Sequence, residues 1–63
     1  MDVQQITGRV GQALDEQLTS LDGVISVEWW TESFGRIGFV SVKVMNDDKA
    51  VHSFNISIRP HGG

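Results

Sequence analysis

Two stretches decide the fold: Val24-Ile25-Ser26-Val27-Glu28-Trp29-Trp30-Thr31-Glu32 and Arg36-Ile37-Gly38-Phe39-Val40-Ser41-Val42-Lys43-Val44-Met45. Both are rich in β-branched and aromatic residues and alternate with the period of two that a strand imposes. Take Ser33–Arg36 as the loop, with Gly35 supplying a positive φ. Trp29 then faces Val40, Val27 faces Val42 and Ile25 faces Val44 on one side. On the other side Trp30 faces Phe39, Glu32 faces Ile37 and Ser26 faces Lys43. A one-residue slip would turn every side chain over. One register sorts both faces, so the two stretches read as an antiparallel hairpin.

Working outward, Ala50–Arg59 alternates in the same way and reads as a third strand, after a turn around Asn46-Asp47-Asp48. The inner face then collects Ile25, Val27, Trp29, Val40, Val42, Val44, Ala50, Phe54, Ile56 and Ile58. Upstream the period changes to helical. Val3, Ile6, Val10, Ala13, Leu14, Leu18 and Leu21 are spaced by threes and fours and lay one stripe on a helix from Val3 to Leu21. Asp2 with Gln5 makes a capping box, and Gly23 suits the turn into the first strand. Gly8 and Gly11 each weaken the helix by roughly 0.8–1 kcal/mol relative to Ala, which points to close backbone approach. The expected fold is α+β: an N-terminal helix on a three-stranded antiparallel meander, αβββ in two layers.

Sixty-three residues make one domain, with residues 59–63 expected to be a frayed tail. Hydrophobic residues are 40% of the chain and charged ones 21%, which excludes disorder by composition. The absence of cysteine excludes disulfide scaffolds, Cys-ligated zinc and thiol catalysis. The apolar runs are too short for a membrane span, and Met1-Asp2-Val3-Gln4-Gln5 is unlike a secretory signal. The expectation is a soluble cytoplasmic protein.

Catalysis finds little material. Two histidines, one of them in the tail, build no Ser-His-Asp set. His52, beside the second turn, reads as a boundary histidine bonded locally. Glu28 and Glu32 share the outer face but have no cleft between them for a substrate. Asp47-Asp48 is too short a ligand series for an EF-hand. Glycines 8, 11, 35 and 38 never follow a strand and open a helix, as a phosphate cradle requires. The terminal Gly62-Gly63 is similar to the tail of ubiquitin-like modifiers and sulfur carriers, but those proteins place a hairpin before their helix. No enzyme activity, cofactor or metal is expected.

The outer face carries the functional expectation. Most of it is wet: Ser26, Ser41, Lys43, Ser53, Asn55 and Ser57. Trp30, Phe39 and Ile37 break that pattern at the first-hairpin end, with Phe34 in the adjoining loop. The plain explanation is a cross-strand pair supporting the hairpin, worth roughly 0.2–1 kcal/mol. It suits Phe39 better than Trp30, because Trp29 already supplies the core aromatic. A cluster of Trp30, Phe39 and Ile37 rimmed by Glu28, Glu32 and Arg36 has the makeup of an interface centre.

Three uses of that surface follow. The first is binding another protein, as an inhibitor or adaptor. In size and style the chain is similar to many phage-encoded inhibitors, anti-CRISPR proteins among them, although no motif identifies such a family. The second is a homodimer or structural homo-oligomer, stacked through Trp30, Ile37 and Phe39 or docked at Gly8 and Gly11. The third is single-stranded nucleic-acid binding on the aromatics, with Lys43, Arg36 and Arg59 reaching phosphates. A net charge of −3, with Glu28 and Glu32 beside the aromatics, argues against the third. Protein binding is the expectation.

Overall fold

A computed structural model describes residues 1–61. The Gly62-Gly63 pair weighed above lies outside the described residues. The elements are α1 (Val3–Leu18), β1 (Val24–Thr31), β2 (Gly38–Met45) and β3 (Val51–Ile58). The strands form one antiparallel sheet in the order β1-β2-β3, and α1 packs on one face of it. This is the αβββ arrangement in two layers.

The local signals work as their chemistry requires. Asp2 Oδ1 accepts from the Gln5 N–H at 2.8 Å, and Gln5 Oε1 accepts from the Asp2 N–H at 3.0 Å. Two orphan donors of the first turn are thereby satisfied. The helix ends at Leu18, short of the expected Leu21. There the Leu21 N–H donates to the Leu18 carbonyl at 2.9 Å, tightening the chain, and Gly23 at φ +91 turns it into β1. Leu21 is consequently more than half exposed.

The first hairpin keeps the expected register, with Trp29 opposite Val40, Val27 opposite Val42, and Trp30 opposite Phe39. It departs at Ile25. The pairing shifts between Val24 and Ser26, so Val24, and not Ile25, stands opposite Val44. Ile25 is half exposed as a result. The strands are also shorter than expected: Glu32, Arg36 and Ile37 belong to the loop, and Ala50 and Arg59 lie just outside β3. In the second turn the Lys49 N–H donates to the Asn46 carbonyl at 2.9 Å, and Lys49 takes a φ of +68. That is a turn followed by a left-handed residue, the usual three-residue hairpin loop.

The helix docks through small residues. Thr7 and Gly11 are its buried positions. A Cβ added at Gly11 would overlap the Trp29 ring, and one added at Gly38 would overlap the Thr7 side chain. Gly8 has open space around it. The close approach inferred from the two glycines therefore belongs to Gly11 alone. Gly11 is covered by Trp29, which removes it from any helix-to-helix contact.

This docking line runs about a quarter-turn away from part of the apolar stripe. Ile6 leans toward Ile58 and Pro60, beside β3. Gln5, Gly8 and Gln12 lie on the other flank, near Trp29. The helix thus sits mainly over β1 and β2. Val40 and Val42, on the central strand, are the buried apolar side chains among the described residues. Phe54 and Ile56, expected in the core, are 61% and 42% exposed.

Two alanine substitutions on one helix should therefore move stability in opposite directions. Gly11→Ala should destabilise by about 1–2 kcal/mol, overpacking against Trp29 outweighing the propensity gain. Gly8→Ala should stabilise by about 1 kcal/mol. Urea unfolding of both variants checks this; shifts of the same sign would place the helix elsewhere.

Candidate functional site

Alternation puts Trp30 of β1 and Phe39 of β2 on the face away from α1, directly opposite each other. Their rings stack with centroids 5.6 Å apart and planes inclined by 27°. Phe39, on the central strand, is half-buried, whereas Trp30 on the edge strand remains 48% exposed. Cross-strand stacking thus holds the indole in place without hiding it.

The loop borders this surface. Gly35 at φ +70 reverses the chain, and the Glu32 N–H donates to the Ile37 carbonyl at 3.0 Å, closing the hairpin. Ile37 is half-buried next to the stacked pair. Phe34 is 75% exposed, and the Arg36 guanidinium carbon lies 5.3 Å from the centre of its ring. That is cation–π distance. Phe34 is legible in the chain as a loop residue, whereas its pairing with Arg36 leaves only their spacing of two across Gly35 as a signal.

Of the two rim glutamates, Glu28 is exposed in mid-strand, opposite Ser41. Glu32 is occupied. Its Oε1 accepts from the Arg36 N–H at 2.6 Å. That bond holds its carboxyl below the ordinary value of 4.5; desolvation opposes the effect, and the Phe34 and Ile37 N–H groups and the Arg36 charge add to it. Glu32 therefore secures the loop that carries Phe34 and Arg36, and Glu28 is the acid left facing solvent.

The candidate residues separate by place. Trp30 and Phe39 share the first-hairpin end of the outer face, with Ile37 two residues before Phe39, whereas Arg36 lines a pocket on the helix side with Met1, Val3 and Ile6. Lys43 stands at the other end, opposite Ser26 and Ser53, whereas Arg59 follows Ile58, which is opposite Gly38, and lines one pocket with Arg36 at the first-hairpin end. Lys43 therefore stands away from the aromatics, while Arg36 and Arg59 share their end of the sheet. His52 is exposed at the turn end of the inner face, opposite Val44. Among the described residues no group of three His, Asp or Glu side chains stands together as a metal site. Nor is any helix among them long and apolar enough to cross a membrane.

Comparisons with protein families, with curated proteins and with solved structures find no match for this chain.

The Glu32 clamp has a pH signature. A depressed folded-state pKa contributes stability that is present above the unfolded value and lost as pH falls through the folded one. The stability difference between wild type and Glu32→Gln should therefore close as pH drops below 4.5. Thermal unfolding of both proteins from about pH 7 to about pH 3 reads it. A difference that stays constant over that range would remove the carboxylate from the clamp.

Proposed function

We propose that this chain is a small, cytoplasmic, non-enzymatic protein-binding module, and that Trp30 with Phe39 is the centre of its contact surface. The observation that carries the proposal is the stacked pair itself: an indole aligned by Phe39 and half open to solvent on a face that no element among the described residues covers. Tryptophan and arginine are the residues on which interface energy concentrates, and they do so where a polar rim excludes water around an apolar centre. Here Ile37 widens the apolar centre and Glu28 supplies the rim, with Phe34 and Arg36 in the loop that borders it. The partner's complementary feature is an apolar recess with a basic group placed to meet Glu28. Blocking a partner's surface needs no catalytic group, so the reading suits an inhibitor or adaptor of the phage-encoded type.

Stacking of unpaired bases on the same aromatics is the weaker reading. A net charge of −3 repels a phosphate backbone, and Glu28 stands one pleat from Trp30.

Trp30→Ala should keep the circular dichroism spectrum of the wild type, losing about 1 kcal/mol of cross-strand support at most. It should also abolish capture of the partner from a lysate of the natural host, identified by mass spectrometry. Capture surviving at wild-type strength would eliminate the patch as the contact. Quenching of tryptophan fluorescence by an oligonucleotide at low salt would favour the nucleic-acid reading instead.

A further inference from the structure

The last strand is an unprotected edge. Val51-His52-Ser53-Phe54-Asn55-Ile56-Ser57-Ile58 contains no Lys, Asp, Glu, Pro or Gly, and its pairing with β2 runs without a break. Natural proteins blunt a free edge with charge, proline or a bulge, because its open N–H and C=O groups otherwise recruit another strand. The opposite edge is blunted in this way: β1 is irregular between Val24 and Ser26 and carries Glu28 at its middle. On β3 the alternation is set by the Asn46 N–H, which donates to the Ala50 carbonyl at 2.9 Å. Even-numbered residues of β3 therefore direct their backbone groups at β2, and Ser53, Asn55 and Ser57 direct theirs outward.

We infer that β3 pairs antiparallel with β3 of a second copy of this chain, about a two-fold axis at Asn55. That register opposes Asn55 to Asn55 and Ser53 to Ser57, joining the outward-directed backbone groups of both strands. On the inner face it sets Phe54 of each copy against Ile56 of the other. Both remain exposed beside α1. An aromatic facing a β-branched residue is a favourable cross-strand pair, and no like charges meet anywhere along the strand. The contact is isologous, and the irregular, charged β1 edge stops further strand addition, so assembly closes at two copies.

The chain also has surface to give to such a contact. The chain exposes 4795 Å², whereas a folded monomer of 7.0 kDa is expected to expose about 4,000 Å². The excess, roughly 750 Å², is of the order of what each partner contributes to an interface of standard size, about 800 Å², and is spread over Leu21, Ile25 and Phe34 as well as Phe54 and Ile56. The radius of gyration, 13.0 Å, likewise exceeds the roughly 11 Å of a compact chain of this length. Trp30 and Phe39 lie on the other face of the sheet and stay open in this dimer.

Light scattering across a concentration series tests the inference on wild type, Asn55→Lys and Trp30→Ala. Asn55 is exposed on the outer face, and a lysine there meets its own copy at the two-fold axis. Wild type and Trp30→Ala should reach twice the chain mass, while Asn55→Lys should dissociate with a constant raised at least about tenfold and an unchanged circular dichroism spectrum. A wild type that stays at the mass of one chain up to its solubility limit would overturn the inference. So would a dimer that Trp30→Ala dissolves and Asn55→Lys leaves intact. Should Asn55→Lys fail to fold, hydrogen exchange on wild type decides: the N–H groups of Ser53, Asn55 and Ser57 should slow as concentration rises. Exchange equally fast at every concentration would refute the pairing.

Discussion

The seat of Gly11 on the Trp29 ring determines what the rest of this small molecule can cover. Together with Thr7 over Gly38 it brings the helix backbone down onto β1 and β2, where any larger residue at either glycine would collide. The Thr7 hydroxyl is buried there with no hydrogen-bond partner among the described residues. Leaving such a group unsatisfied costs about 1–3 kcal/mol, so the contact is held for its shape. A helix with its side chains is about 10–12 Å across, and neighbouring strands are about 4.8 Å apart. Placed over the first two strands, one helix cannot also shield the third.

Much of this was legible in the chain. The capping box, Gly23, Gly35 and the pairing of Trp29 with Val40 and Trp30 with Phe39 all follow from local chemistry and the period of two. Periodicity assigns a residue to a face, however, and says nothing about whether the opposing layer is wide enough to reach it. Phe54 and Ile56 therefore read as core from their alternation, yet they stand largely in the open. Ile25 was misplaced because the pairing shift next to it leaves no mark in an apolar run. The bond from the Arg36 N–H to Glu32 was hidden too, since a glutamate in a loop looks the same whether its carboxylate is bound or free.

Two unlike surfaces result from the placement of the helix and the pleat of the sheet. The outer face concentrates aromatic side chains at the first hairpin, where a stacked partner and a clamped loop hold them in position. The inner face and free edge of β3 combine exposed apolar side chains with open backbone groups. The first is the proposed docking site for a different protein, and the second the inferred seam between identical strands. They lie on opposite sides of the sheet, so one does not obstruct the other.

Both surfaces follow from the position of the helix, which nuclear magnetic resonance can read. With Gly11 seated against Trp29, its α-protons should show nuclear Overhauser contacts to the indole ring. Their shifts should also stand apart from those of Gly8, which has open space around it. Indistinguishable shifts at the two glycines, with no contact from Gly11 to the ring, would contradict the docking from which both surfaces follow.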